Sequence, residues 1–148
     1  MILPDLTDHQ LAEVASAAEV KIYRLLRDQL PDQYSVLFQA AWILSKDSTD
    51  ALDGETDFII CHPNFGYIAL EVKGGGIAFN SLTDTWTSTD KYGNSHPIKD
   101  PIKQAMRAKY CIHKKIQERG GQISKIFDDA IKGHAVYFPD TVSYTHLR

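Results

Sequence analysis

Two apolar runs separated by a short turn constrain the fold of this chain more than any other feature. The runs are TDFIICH (residues 56–62) and YIALEVK (67–73), and the turn between them centres on Asn64. Both runs have the length and the β-branched and aromatic content of buried strands. The Pro, Asn and Gly between them favour a turn. The sequence therefore predicts a β-hairpin inside a sheet.

Three charged side chains interrupt the apolar pattern of this hairpin. Because side chains alternate along a strand, Glu71 and Lys73 share one face of the second strand. If the pairing is symmetric about Asn64, Asp57 lies directly opposite Glu71, with the two Cβ atoms about 5 Å apart. Two carboxylates at that separation could bind one cation between them.

The predicted carboxylate pair favours a divalent metal ion. Like charges that face each other destabilise a sheet, and a cation would offset the repulsion. Oxygen ligands with positions left for water suit Mg²⁺ or Mn²⁺. Lys73 points into the same space, where it could hold a nucleophilic water or stabilise negative charge on a phosphate. The glycines at 74–76 would let a substrate backbone approach closely.

A second interpretation of the same residues carries no chemistry. Glu71 and Lys73 could form an ordinary exposed ion pair at the end of a hairpin, since Glu-x-Lys triplets are common. The Asp57 carboxylate opposite Glu71 and the glycine-rich segment that follows favour a site. The spacing alone leaves both interpretations open.

The remaining patterns predict an α/β fold. Residues 6–31 carry a capping box at Thr7 and Gln10 and one apolar stripe, which predict a single long helix. Residues 90–101 are predicted to be a loop from their Gly, Asn and Pro content. The other predicted elements are a strand at 34–44, a small hairpin at 77–89, a helix at 101–119 and a strand at 133–140. The order helix, three strands, small hairpin, helix, strand predicts a central mixed sheet flanked by helices.

One face of the second predicted helix is basic. Lys103, Arg107 and Lys114 fall within about 40° of one another at 100° per residue. This basic stripe could contact a phosphate backbone and make binding salt-dependent. The alternative is a solvated face opposite the predicted core stripe of this helix, which comprises Ile102, Met106, Ile112 and Ile116.

The ordered set of these features resembles one known family. GETDFIICHPNFGYIALEVKGG contains the Asp…Glu-x-Lys core of the restriction-endonuclease-like PD-(D/E)xK nucleases, and it is similar in particular to the nuclease-related domain (NERD). The likeness extends to the Ala18-Glu19 step, to the hairpin that carries Trp86 and to the P-x-x-Q pattern in DPIKQAMRAKYCI. It covers about residues 12–140, with Asp-Pro in place of the expected Asn-Pro.

The resemblance implies a role for each matching residue of the hairpin. Asp57 and Glu71 would be metal ligands, and the backbone carbonyl of Val72 would complete the set. Lys73 would be the catalytic lysine. The implied cofactor is Mg²⁺ or Mn²⁺, and the fold would be restriction-endonuclease-like.

The resemblance also implies an activity and two further site residues. Glu19 would reach the metal or its waters from the first helix, and Gln104 would line the site from the second. The implied reaction is metal-dependent hydrolysis of DNA to 5′-phosphate and 3′-hydroxyl ends, in DNA repair or processing. The alternative is a non-cleaving DNA-binding or docking module on the same fold, attached to a helicase or another partner.

The composition limits which binding partners and which cellular compartment we expect for the chain. The net charge of −3 means that any contact with DNA must come from a local basic patch. Two cysteines without close spacing and an N-terminus without a signal-peptide pattern favour a reducing, cytoplasmic setting. No apolar stretch approaches the ~18 residues of a membrane span. The histidines lack ligand spacing, and the motifs of a protein kinase are absent.

The sequence predicts one domain over residues 1–141. A buried strand close to the end of a chain is an unusual place for a sheet to finish, so we expect a C-terminally truncated domain. Residues 142–148, VSYTHLR, resemble translated sequencing-adaptor sequence and are expected to be a non-native tail.

Overall fold

A computed structural model describes residues 1–42 and 54–141 of the chain. The end of the strand predicted at 34–44 and the tail predicted at 142–148 lie outside the described residues. The helices and strands, in chain order, are β1 (Ile2–Leu3), α1 (Asp8–Ala12), α2 (Ala17–Gln29), β2 (Ser35–Trp42), β3 (Gly54–His62), β4 (Gly66–Val72), β5 (Gly76–Asn80), β6 (Thr85–Thr89), β7 (Ser95–Ile98), α3 (Pro101–Arg119), α4 (Gly121–Asp128) and β8 (Lys132–Tyr137).

The strands form two sheets. The larger one has five strands in the order β1-β2-β3-β4-β8, and the smaller one has three in the order β5-β6-β7. In the larger sheet β2, β3 and β4 are antiparallel, whereas β1 and β8 run parallel to their neighbours. The predicted α/β fold with a mixed central sheet flanked by helices is therefore confirmed.

The register of the β3–β4 hairpin is the one predicted from its sequence. Phe58 lies opposite Leu70 and His62 lies opposite Gly66, so the hairpin is symmetric about the turn residue at 64. Gly66 has a φ of +96°, and a Cβ at this position would collide with the backbone of Ile131. Only glycine combines that conformation with so close an approach, and the hairpin can therefore lie against the segment that precedes β8.

The two faces of the larger sheet pack differently. The face that carries Phe58 and Leu70 packs against α2 and forms the main core. The opposite face carries Tyr67, whose hydroxyl donates to the carbonyl of Lys109 in α3 at 3.0 Å. The buried residues of the main core are Ile2, Leu11, Ala18, Ile22, Tyr23, Val36, Phe38, Phe58 and Val72.

The prediction of one long helix over residues 6–31 is wrong. The capping box at Thr7 is confirmed, but α1 ends at Ala12 and α2 begins at Ala17. Ser16 caps the second helix, since its hydroxyl accepts a hydrogen bond from the backbone N–H of Glu19 at 3.2 Å. A serine that satisfies a free N–H group favours a new helix start over continuation.

The core stripe predicted for α3 is also wrong. Ile102 is 48% exposed and Met106 is 38% exposed, whereas Ala105 is fully buried. The residues that α3 buries are Pro101, Ala105, Ala108 and Cys111. Their side chains are small, so the helix axis can lie close to the sheet, while Ile112 and Ile116 are only half-buried.

Three elements were not predicted. β1 is very short, α4 begins at the glycine expected to end the preceding helix, and β7 lies in the segment predicted to be a loop. β7 contains Pro97, which is tolerated because β7 is an edge strand of the smaller sheet. Among the described residues, no helix has both the length and the apolarity to cross a membrane.

Candidate active site

The predicted carboxylate pair lies where the β3–β4 ladder ends. The regular pairing stops at Phe58 opposite Leu70, and one further step in the same register places Asp57 opposite Glu71. At this point a side chain replaces the backbone acceptor, because the N–H of Val72 donates to Oδ2 of Asp57 at 2.7 Å. The hydrogen bond fixes the Asp57 carboxylate at the end of the hairpin.

Glu71 and Lys73 form an ion pair in which Glu71 is buried and Lys73 is partly buried. Nζ of Lys73 lies 2.7 Å from Oε1 of Glu71. Glu71 is only 5% exposed. The interpretation of these residues as an ordinary exposed pair is therefore wrong. Removing a carboxylate from water has a large desolvation cost that a surface ion pair does not have. Buried charged groups of this kind are typical of functional sites.

The second carboxylate has an unusual protonation equilibrium. Burial, and after it the negative charge of Glu71, raises the pKa of Asp57 from 3.8 to about 7. The Val72 N–H and the Lys73 ammonium act in the opposite direction but do not outweigh these effects. Two carboxylates that share a desolvated space without enough positive charge form a site that a cation would stabilise.

Glu19 reaches this region from the first turn of α2. The break between α1 and α2 places it at the positively polarised N-terminus of a 13-residue helix, where a carboxylate is stabilised. Its negative charge contributes to the raised pKa of Asp57. The structure thus brings together four of the predicted site residues: Glu19, Asp57, Glu71 and Lys73.

One residue of this region was missed by the sequence analysis. Nε2 of Gln39, on β2, donates to Oε2 of Glu19 at 3.1 Å. In the register of β2 and β3, Gln39 lies at the level of Asp57, between the pairs formed by Phe38 and Ala40. The available signal was a single amide side chain within the run VLFQAAW, which is otherwise apolar.

The comparison with known families agrees with this geometry. The sequence model of one protein family, the nuclease-related domain (NERD), matches residues 15–138. This range includes Glu19, Gln39 and the hairpin residues Asp57, Glu71 and Lys73. The chain belongs to the nuclease-related domain family. No curated protein and no solved structure matches the chain. The family, as its description states, is related to nucleases, so the acidic site of this NERD domain is its candidate active site.

The donor set of this NERD domain fits a hard cation that keeps part of its water shell. In residues 1–42 and 54–141, no three His, Cys, Asp or Glu side chains cluster closely enough to hold a metal ion. The prediction that Glu19 reaches the metal or its waters stays a prediction. Mg²⁺ is usually bound through one or two carboxylates and retains several waters, so the carboxylate pair fits Mg²⁺ or Mn²⁺. The carbonyl of Val72 as a further ligand stays a prediction.

Gln104 lies in α3, on the helix that covers the same face of the sheet. Its Oε1 atom is buried and has no hydrogen-bond partner. A buried acceptor without a partner has a free-energy cost, which a water or a ligand in the site would relieve. That Gln104 lines the site stays a prediction.

The basic stripe of α3 faces solvent. Lys103, Arg107 and Lys114 are all exposed. Lys103 is 3.6 Å from Asp100, the N-cap residue of the helix. The three side chains are therefore accessible to a phosphate backbone, although exposure is equally typical of a solvated helix face.

Proposed function

We propose that this NERD domain is a Mg²⁺- or Mn²⁺-dependent deoxyribonuclease that hydrolyses phosphodiester bonds in DNA repair or processing. The observation that carries the proposal is the buried Glu71 carboxylate, which lies 2.7 Å from the Lys73 ammonium and raises the pKa of Asp57. A domain that only binds DNA has no need for two desolvated carboxylates that repel each other.

Each residue of the site has a separate task in this proposal. Asp57, Glu71 and the carbonyl of Val72 would hold the cation. The cation would supply a Lewis acid for a phosphoryl oxygen and a water of lowered pKa. Lys73 would donate to the phosphate oxygens as negative charge builds in the transition state. Gln104 would hold a water, whose O–H would donate to the buried Oε1 atom that has no other hydrogen-bond partner.

The proposed reaction is a displacement at phosphorus. Water adds to the phosphorus atom and loses a proton, and the bond from phosphorus to the 3′ oxygen breaks. The leaving oxygen takes up a proton, so the products are a 5′-phosphate and a 3′-hydroxyl. Glu19 would reach the cation or its waters, because its charge lies near enough to Asp57 to raise the pKa of that carboxyl group.

The proposed partner is DNA, contacted by the basic stripe of Lys103, Arg107 and Lys114. Exposed cationic side chains release counterions from the DNA backbone, so binding would weaken as salt rises. Cys61 and Cys111 are both free thiols, and these support a reducing, cytoplasmic setting. A fused or associated helicase would supply separated strands to the site.

The test is cleavage of circular single-stranded DNA and of supercoiled DNA by the purified chain, with Mg²⁺, with Mn²⁺ and with EDTA. We expect metal-dependent cleavage that Asp57→Ala and Lys73→Ala abolish and that Lys125→Ala, a change at an exposed lysine of α4, leaves intact. Salt-sensitive DNA retention without cleavage by any of these proteins would favour the non-cleaving docking module instead.

A further inference from the structure

Gln39 interrupts β2 at the level of the candidate active site. The pairs formed by Phe38 with Phe58 and by Ala40 with Thr56 lie on either side of it. Gln39 and Asp57 lie at the same level between these two pairs but do not form a ladder pair, and the φ of Gln39 is +48°. This left-handed backbone conformation is uncommon for residues other than glycine and has a free-energy cost. The regular ladder resumes on both sides, so the distortion is confined to the position next to the site.

The side chain of Gln39 connects two elements that otherwise approach the site separately. Nε2 donates to Oε2 of Glu19 at 3.1 Å, which joins β2 to the first turn of α2. A hydrogen bond to one carboxylate oxygen restricts the rotation of the Glu19 side chain. This hydrogen bond engages Oε2 and does not involve Oε1, the second oxygen of the carboxylate. The Glu19 backbone is held as well, by the hydroxyl of Ser16.

From this geometry we propose that Gln39 is a positioning residue that holds the Glu19 carboxylate toward the waters of the cation site. Its strained backbone aims the amide across to Glu19. The inference rests on the proposed function, since it concerns the cation of that same site. Groups that orient the surroundings of a metal ion commonly affect metal affinity by about 10-fold or more when they are removed.

The variant Gln39→Gly tests the contribution of the side chain separately from that of the backbone conformation. Glycine adopts a φ of +48° without strain, so this variant keeps the strand conformation and loses only the amide. Gln33→Gly is the matched control, because Gln33 is an exposed residue in the turn just before the same strand. Both changes replace the same side chain with glycine, and their effects on folding can be compared by urea unfolding.

The measurements are the affinity for Mn²⁺ by isothermal titration calorimetry and the Mg²⁺ concentration that gives half-maximal DNA cleavage. We expect Gln39→Gly to weaken Mn²⁺ binding and to raise the required Mg²⁺ concentration, each by about tenfold. The cleavage rate at saturating Mg²⁺ should change much less. A merely structural role would lower stability without moving the cation dependence. Gln33→Gly should match the wild-type protein in both measurements.

A double-mutant cycle tests whether Gln39 acts through Glu19. In a Glu19→Ala background, Gln39→Gly should have no further effect on Mn²⁺ affinity. An equal effect in both backgrounds overturns the inference. If the wild-type protein binds Mn²⁺ and cleaves DNA and Gln39→Gly binds Mn²⁺ with the same affinity, the inference about Gln39 is overturned. The proposed function then still stands. Wild-type protein that neither binds Mn²⁺ nor cleaves overturns both.

Discussion

Replacing Asp57 with asparagine should stabilise the metal-free protein at alkaline pH. The asparagine side chain keeps an oxygen that can accept the Val72 N–H, now 2.7 Å from Oδ2 of Asp57, and it has no charge. What the change removes is the cost of ionising a buried carboxyl group next to Glu71. This result would show that a proposed metal ligand lowers the stability of the fold that carries it.

The sign and size of this effect follow from the pKa of Asp57. In the folded protein the pKa is about 7, against an ordinary value of 3.8. Between these values the unfolded chain binds fewer protons than the folded protein, so stability falls as pH rises from about 4 to about 7. Each pH unit in that window costs at most about 1.4 kcal/mol. Because Asp57 is only partly buried, we expect the free energy of unfolding to fall by about 2 kcal/mol from pH 5 to pH 8.

The assay is urea unfolding in EDTA at pH 5 and at pH 8. The stability advantage of Asp57→Asn over the wild-type protein should grow by about 2 kcal/mol between the two pH values. Asp32→Asn, the same change at an exposed position, should show no such growth. Mg²⁺ at pH 8 should stabilise the wild-type protein and not Asp57→Asn, because only a folded site binds the ion. An advantage that does not depend on pH would refute the reasoning about burial and charge.

Three further predictions concern the DNA-binding face, the hairpin turn and the start of α2. Lys103→Glu with Arg107→Glu should weaken DNA binding and lower the slope of log affinity against log salt by about 2, as measured by fluorescence anisotropy; an unchanged slope would exclude these side chains from the interface. Gly66→Ala should lower the free energy of unfolding by more than about 3 kcal/mol through backbone collision, whereas Gly93→Ala, which meets open space at a similar φ, should cost about 1 kcal/mol in the same urea assay. Equal losses at both glycines would contradict this. Ser16→Ala should cost about 1 kcal/mol by thermal unfolding, since it removes the cap of α2; no loss would mean that the cap is replaced by water.

The hairpin could be predicted from the sequence because its constraints are local. The alternation of side chains and a three-residue turn (63–65) fix the register that places Phe58 opposite Leu70. The interruption of the first helix could not be predicted in the same way. The apolar stripe continues across Ser16, and the competition between helix continuation and a capping hydroxyl depends on how α1 and α2 pack.

The structural features that were not predicted from the sequence depend on the tertiary surroundings of each residue. Ala105 replaces the expected isoleucines in the α3 interface because small side chains allow close packing, and the spacing of apolar residues does not show this. Pro97 indicated a loop, and only its place on a sheet edge makes it compatible with a strand. Gln39 joins the site through a contact with Glu19, 20 positions away in the chain.

The most direct test of the account separates cation binding from cleavage at Lys73. The Lys73 ammonium lies 2.7 Å from Oε1 of Glu71, so it contacts a proposed ligand without being one. The measurement compares Lys73→Met with the wild-type protein for Mn²⁺ affinity and for single-turnover cleavage of DNA in Mg²⁺. We expect Lys73→Met to bind Mn²⁺ at least as tightly as the wild-type protein and to cleave DNA at least about 100-fold more slowly. Cleavage at the wild-type rate would contradict the account.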